Sequence, residues 1–324
     1  MEPTRVGIVG AGLAARSHID ALRRVPGVEL TGITASSPER SRAAAEELGV
    51  PAAFGSVADM VASPNVDAIH NCAPNHLHLE INRSVLAAGK HLLSEKPLGL
   101  TSIETGELEA LASEAGVVTG VCHNYRHFPL VRHAKELLDS GELGAPHFVH
   151  GTYLVSARKF ALHPERLKPT GEVQTFQRAE DAPADAVRID TEDGAVILLE
   201  FDTGVLGTLS VSAGLAWRQE DPNRLWIGRR DEANAQLFRD PGLLSASAAR
   251  LAHYPGGHEE GWPDALKNLI DDFYAAVRGH DDGSGHEASF ATFSDAHHVT
   301  LVVEAVMASA ASERWVDVDE GAKP

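Results

Sequence analysis

A short apolar run, Arg5–Val9, leads directly into Gly10-Ala11-Gly12-Leu13-Ala14-Ala15. A strand that ends on two glycines and opens a helix restricts the folds open to a chain more than anything else in this sequence. Gly10 and Gly12 lack the Cβ atoms that would hold a pyrophosphate away from the backbone. The helix behind them offers free N–H groups and the positive end of its dipole. Ala15 stands where the dinucleotide fingerprint has its third small residue, which lets helix and strand approach closely. The bland alternative is a plain tight turn, and the residues that follow argue against it.

Those residues alternate strand and helix signals. A helix over Ala14–Arg24 is stopped near Pro26-Gly27, and Val28–Thr34 reads as a second strand. Pro38–Leu48 is a helix with Ser37 as N-cap, Pro38 in its first turn and Gly49 beyond its end. Ala52–Phe54 and Val57–Ala62 read as a short strand and a short helix. Val66–Cys72, His91–Ser94 and Val117–Val121 are further strands, separated by helices over Leu79–Ala88 and Ile103–Ala115. Such alternation implies right-handed crossovers and a parallel sheet. The expectation is an α/β chain with a doubly wound Rossmann domain over residues 1–122.

From residue 123 the rhythm changes. A helix, Val131–Asp139, precedes strand-like segments at His147–Val155, Ala186–Asp190, Ala195–Phe201, Val205–Ala213 and Arg224–Ile227. Turns such as Glu192-Asp193-Gly194 join them, and helices follow over Pro263–Arg278 and Ser294–Ser312. A second, α+β domain with a largely antiparallel open sheet is therefore expected over residues 123–324. The length of 324 residues accommodates two domains with cores of their own.

Charge and cysteine content narrow the function classes. A formal net charge of −18 disfavours nucleic acid and anionic membrane surfaces, which need clustered Lys and Arg. Cys72 and Cys122 offer no disulfide framework, so a reducing, cytoplasmic setting is expected. Met1–Ala15 is apolar but lacks a basic leading region and is punctuated by Gly7, Gly10 and Gly12, so it reads as strand and turn. No apolar run reaches the ~18 residues of a membrane span.

Three strand ends carry candidate chemistry. The ribose 2′ position is read about 20 residues past the glycine turn. There the chain has Ala35-Ser36-Ser37 and no carboxylate for a ribose diol. Ser36, Ser37 and Arg40, with Arg42 nearby, suit a 2′-phosphate and favour NADP over NAD. The competing reading has Ser37 only capping its helix and Arg40 on a solvated face. The loop Ala73-Pro74-Asn75-His76-Leu77-His78 follows a central strand and lines the crevice where ligands bind in open α/β sheets. Its histidines lack accompanying carboxylates or cysteines at metal-ligand spacing, so no metal site is expected. Glu95-Lys96-Pro97 follows the next strand, and Pro97 keeps Lys96 out of helical geometry. Beside a nicotinamide, Lys96 can hydrogen-bond a substrate hydroxyl or act as a general base, with Glu95 raising its proton affinity if the two pair.

These residues resemble the glucose–fructose oxidoreductase/inositol dehydrogenase/MocA family. The likeness runs through Val6–Ala15, Asp67–His78, Ala87–Leu100 and Asn124–Gly144, then Gly171–Phe176 and Ser289–Trp315. Ala87-Ala88-Gly89-Lys90-His91 running into Glu95-Lys96-Pro97 is its most specific block. The resemblance implies NAD(P)-dependent oxidation or reduction of a sugar, inositol or related polyol, and a homo-oligomer formed through the second domain's sheet. It also implies Gly10, Gly12, Leu13, Ala15, Pro74, Asn75, His78 and Glu95 at or near the cofactor, Lys96 in the catalytic site, and Asn124, Tyr125 and Arg126 toward substrate. The family normally places an aspartate and a histidine on a helix after the strand His147–Val155, and that histidine partners the lysine. Here Ser156-Ala157-Arg158 follows instead and the helix is missing from the sequence. His163 reads as a loop residue, and the Asp282/His286 pair as a coincidence of spacing. His123 and His127 are the better local substitutes. The main functional expectation is a polyol or sugar oxidoreductase using Lys96. The alternatives are a non-catalytic dinucleotide-binding regulatory or scaffold protein, and hydrolysis or elimination through a transient oxidation.

Overall fold

β1 (Thr4–Val9) lies near the middle of a six-stranded parallel sheet and is buried along almost its whole length. The computed structural model describes residues 2–142, 148–150, 197–200, 206–208, 215–218, 221–227, 235–286 and 288–318. Around β1, the strands β2 (Val28–Thr34), β3 (Ala52–Ala53), β4 (Ala68–Asn71), β5 (His91–Ser94) and β6 (Thr119–Val121) stand in the order β3-β2-β1-β4-β5-β6. The crossovers are helices α1 (Leu13–Leu22), α2 (Pro38–Leu48), α3 (Val57–Ala62), α4 (His78–Ala87) and α5 (Ser102–Ala115). The order reverses between β1 and β4, which creates the crevice at their carboxyl ends.

Local chemistry places these helices. The Ser37 hydroxyl accepts the Arg40 N–H at 3.3 Å, Pro38 opens α2, and Gly49 closes it at φ 59°. Thr101 caps α5 by accepting the Glu104 N–H at 3.2 Å. Because the sheet is covered on both sides, its strands alternate between two apolar clusters. Val6, Ile8, Ala68 and Leu93 join α1's Ala15, Ile19 and Leu22 on one side. Val9, Ile69 and Leu92 join Val85 and Leu108 on the other.

Both late helices belong to these clusters. Leu266, Leu269, Phe273, Tyr274 and Val277 of α8 (Trp262–Asp281) complete the first. Phe293 and Ala296 of α9 (Phe293–Ser312) complete the second, with α9 started by a Thr292/Asp295 capping box. The chain accordingly divides into one compact unit of Met1–Phe128 with Gly261–Pro324 and another of Pro129–Glu260. Sequence grouping put both helices in the second domain; their apolar faces instead find their partners in the Rossmann core.

The second unit holds α6 (Pro129–Asp139) and two three-stranded sheets. β7 (Phe148–His150) pairs parallel with β9 (Leu206–Thr208), which pairs antiparallel with β8 (Leu198–Glu200). β10 (Leu215–Arg218), β11 (Asp221–Ile227) and β12 (Ala235–Phe238) form an antiparallel sheet, and the short α7 (Ala246–Ala249) follows. Leu130 and Leu137 of α6 pack with Leu225 and Ile227 of β11. A buried Arg239–Glu260 ion pair of 2.6 Å pins the loops that follow the sheet. The expected strand Ala186–Asp190 and most of His147–Val155 lie outside the described residues. No described helix is long and apolar enough to cross a membrane.

Candidate active site

The carboxyl ends of β1, β4, β5 and β6 stand side by side, and each releases a loop into the same crevice. After β1, Gly10 adopts φ 107°, and a Cβ there would lie 2.4 Å from the Cys72 carbonyl oxygen. Its N–H donates to the Thr34 carbonyl at 2.8 Å, which fixes the turn. Gly12 is the opposite case, since a Cβ built on it meets nothing within 4 Å. It is the N-cap of α1 with no side-chain capping bond, so the helix end faces open space. Leu13 is exposed beside it, whereas Ala15 is fully buried and serves the helix–strand contact. This open cradle at an uncapped N-terminus fits a dinucleotide pyrophosphate.

At the end of β2 the roles are mixed. Ser37 is the α2 cap, and Ser41 accepts the Ala35 N–H at 2.8 Å. Ser36 and Arg40 are exposed, and Arg42 pairs with Glu39 at 3.0 Å. The buried Thr34 Oγ1, beside this loop, has no protein partner.

The loops after β4 and β5 are tied to each other. Pro74, Asn75 and His76 are exposed around the 3-10 turn Asn75–Leu77. His78 is fully buried, with Nδ1 2.6 Å from the Pro97 carbonyl and Nε2 2.9 Å from that of Ala73. It acts as a staple between the two loops rather than an open ligand. Beneath it, Asn71 Nδ2 donates to Asn82 Oδ1 at 2.8 Å, and Asn82 Nδ2 to Ser94 Oγ at 3.1 Å. Lys96 is exposed, and its peptide bond to Pro97 is cis.

The Glu95 side chain turns inward. One carboxylate oxygen accepts the Lys96 backbone N–H at 3.1 Å, and the other lies 3.1 Å from His18 Nε2. Burial would raise its proton affinity, but the His18 contact and the nearby Lys96 charge hold it below the usual carboxylate range. The pairing with the Lys96 side chain considered from sequence is thus replaced by a pairing with α1. Behind His18, its Nδ1 lies 2.8 Å from His70 Nδ1, and His70 Nε2 lies 2.8 Å from the Tyr274 hydroxyl. His18, His70 and Tyr274 are all fully buried. Burial, together with the neighbouring His18, holds His70 well below the ordinary histidine range. Burial pushes the Cys72 thiol up and the Cys122 thiol up to about 12, so both stay protonated near neutrality.

After β6, Asn124–His127 forms a 3-10 turn held from below. His127 Nε2 donates to Asp272 Oδ2 at 3.3 Å, and Asn268 Nδ2 donates to the His127 carbonyl at 3.3 Å. Arg126 pairs with Asp295 at 3.4 Å, and Tyr125 stacks on Phe128 at 5.8 Å between ring centroids. Asn124 is buried, and its Nδ2 has no protein partner. His123 feels the charges of Glu95 and Lys96, but burial, then Arg126, lowers its proton affinity. His123 thus responds to the charges of Glu95 and Lys96, and His127 is an anchor. Asp272 also accepts from His286 Nε2 at 2.8 Å and from the Ser289 hydroxyl at 2.6 Å. His286 thus belongs to Asp272, while Asp282 accepts the Ser284 N–H at 2.9 Å. His163 and the segment expected to lack a helix lie outside the described residues.

The sequence reading missed His18, His70, Tyr274 and Asp272. One signal was available for His18, which sits between Ala15 and Ile19 on the buried stripe of α1. A polar residue on such a stripe needs an internal partner.

A glycine cradle on an uncapped helix end, with an exposed lysine two strands along the same crevice, defines a dinucleotide-binding Rossmann domain. Residues 4–123 match the model of the oxidoreductase family with an NAD-binding Rossmann fold. That match covers residues 4–123, and over them the chain is similar to the family of glucose–fructose oxidoreductase, inositol dehydrogenase and MocA. It is 32% identical over 213 residues to 1,5-anhydro-D-fructose reductase of Ensifer adhaerens, covering 65% of this chain and 61% of that protein. The chain thus spans about three fifths of that relative's length. It is 22% identical to levoglucosan dehydrogenase of Pseudarthrobacter phenanthrenivorans, covering 99% of both. A solved inositol dehydrogenase homolog from Azotobacter vinelandii, complexed with NADH and myo-inositol, superposes with a TM-score of 0.78. It is 25% identical and covers 98% of each chain.

Proposed function

We propose that the protein is an NAD(P)-dependent oxidoreductase that transfers a hydride to or from a sugar, inositol or related polyol, with Lys96 as its main catalytic group. The observation that carries this reading is the placement of exposed Lys96 at the end of β5. From there it shares one crevice with the Gly10–Gly12 cradle and Asn75. The nicotinamide, when bound, supplies the hydride acceptor or donor. The backbone of Gly10, Gly12 and Leu13 holds the pyrophosphate at the α1 N-terminus, and Pro74 and Asn75 flank its path toward Lys96. Lys96 Nζ takes the hydroxyl proton on oxidation and returns it on reduction. Asn124 Nδ2, buried and without a protein partner, is suited to a substrate hydroxyl, with Tyr125 and Arg126 beside it.

The similarity to sugar and inositol enzymes supports the substrate class. Lys96→Ala should lower kcat by roughly 10²–10⁴-fold, the usual worth of a general acid or base, and leave NADPH affinity unchanged. An initial-rate screen over inositols, aldoses and anhydro sugars, with fluorescence titration of NADPH, measures both. Full activity in Lys96→Ala would refute the assignment, and tight binding without turnover in the wild type would favour a regulatory role. Ser36, Ser37 and Arg40 receive the ribose 2′ position in this reading. Arg40→Ala should then weaken NADPH several-fold and leave NADH unaffected, and equal losses for both cofactors would remove the preference for NADP. A homo-oligomer formed through the second unit's antiparallel sheet completes the proposal, and light scattering after size exclusion tests it.

A further inference from the structure

Glu95, His18, His70 and Tyr274 form one unbroken line of hydrogen bonds that crosses from the Lys96 loop, through α1 and β4, to α8. The contacts are 3.1 Å from Glu95 Oε1 to His18 Nε2, 2.8 Å between the two Nδ1 atoms, and 2.8 Å from His70 Nε2 to the Tyr274 oxygen. The two imidazoles and the phenol are fully buried, so water cannot substitute for the two bonds that join them.

The ionised Glu95 carboxylate can only accept, so His18 Nε2–H donates to it. Burial and the neighbouring His18 hold His70 well below the ordinary histidine range, so His70 is neutral and joins His18 to the Tyr274 hydroxyl through its two ring nitrogens.

We propose that His18, His70 and Tyr274 are positioning residues for Lys96. They hold the Glu95 carboxylate on His18 and on the Lys96 backbone N–H, and so orient the loop that carries the lysine. The second carboxylate oxygen already accepts that backbone N–H at 3.1 Å, so orienting Glu95 also orients the loop carrying Lys96. The other titratable groups facing Glu95 are Cys72 after β4 and Cys122 after β6, both protonated near neutrality. His123 faces both Glu95 and Lys96. The Cys122 thiol also hydrogen-bonds the Glu95 carboxylate, but a thiol is a weaker donor than the His18 N–H. This inference rests on the proposed role of Lys96, but its test does not require turnover.

The test is competitive acetylation of the purified full-length protein with acetic anhydride across the alkaline range, read at the Lys96 peptide by mass spectrometry. In His18→Leu the freed carboxylate can swing toward the ammonium. The Lys96 midpoint should then rise by about one unit, which is a roughly tenfold slower acetylation at a fixed pH below it. His18→Gln retains an N–H for Glu95 and should recover most of the wild-type midpoint. Tyr274→Phe, which keeps the buried ring, should move it upward by less. Midpoints in His18→Leu and Tyr274→Phe equal to or below that of the wild type would overturn the proposal. If His18→Leu does not fold, the Tyr274→Phe and His18→Gln results decide alone. Shifted midpoints combined with full activity in Lys96→Ala would instead leave the positioning line standing and sink the catalytic role.

Discussion

Gly10 and Gly12 are two residues apart, yet the structure predicts that substituting them fails in different ways. Gly10 sits at φ 107°, and its missing Cβ would approach the Cys72 carbonyl oxygen to 2.4 Å. Alanine there meets a backbone conformation that disfavours L-residues by roughly 1–2 kcal/mol. It also overpacks against main chain, which adds about 1–3 kcal/mol. The obstacle is backbone and cannot rotate away, so Gly10→Ala should cost about 2–5 kcal/mol. For a folding unit of this size that is a melting-temperature loss of roughly 5–15 °C. Gly12 has no such neighbour, since its Cβ would enter empty space. Gly12→Val should therefore melt close to the wild type without cofactor, while its side chain fills the cradle. With cofactor at a hundred times its Kd, the wild type gains about 2.7 kcal/mol. Gly12→Val should lose nearly all of that gain. Thermal melts of both variants by circular dichroism, with and without NADPH, read the two effects in one experiment. A Gly10→Ala protein that melts like the wild type, or a Gly12→Val protein with the full NADPH shift, would refute the reasoning.

The remaining predictions concern the buried polar hubs. Asp272 accepts from His127, His286 and Ser289, and although burial opposes it, these bonds hold its carboxyl well below the usual range. Its folded-state value is depressed. Its contribution is therefore complete above the unfolded value of ~3.9 and disappears as pH falls through the folded value. Asp272→Asn should cost about 3–5 kcal/mol at neutral pH and flatten the loss of stability on acidification, as urea titrations at several pH values would record. Arg239 and Glu260 are almost wholly buried, and Arg239 also donates to Asn223 Oδ1 at 2.7 Å and to the Tyr254 carbonyl at 2.8 Å. Arg239→Met should destabilise the second unit by a similar amount, because it removes the ion-pair partner of the buried Glu260 carboxylate. Limited proteolysis should then cut within 129–260 well before the Rossmann core, and an unchanged digestion pattern would count against the hub.

How legible all this was in the sequence followed from how each segment is buried. The Rossmann strands are covered on both faces, so they read as continuous apolar runs, and Ser37, Pro38 and Gly49 punctuated α2 at its observed ends. β10 and β12 escaped notice because each is four residues long and carries polar groups such as Arg218 and Gln236. The cradle and Lys96 were visible because glycine turns and a lysine before proline are local signatures. The supporting network was not, because 17 histidines look alike in one dimension. Only tertiary contact separates the latch His78 and the anchor His127 from the linked pair His18 and His70.

The first unit is written in two pieces of sequence, Met1–Phe128 and Gly261–Pro324, with the second unit inserted between them. During synthesis, the sheet and α1 emerge while Phe273, Tyr274 and Val277 do not yet exist. At typical elongation rates the ribosome needs on the order of ten seconds to reach them. Until then the buried stripe of α1, with Ile19 and Leu22, lacks the helix that packs on it, and His70 lacks its phenol. Completion of the cofactor domain is therefore deferred until the inserted unit has been translated. A chain released early would carry the entire glycine cradle and Lys96 on a core that cannot close.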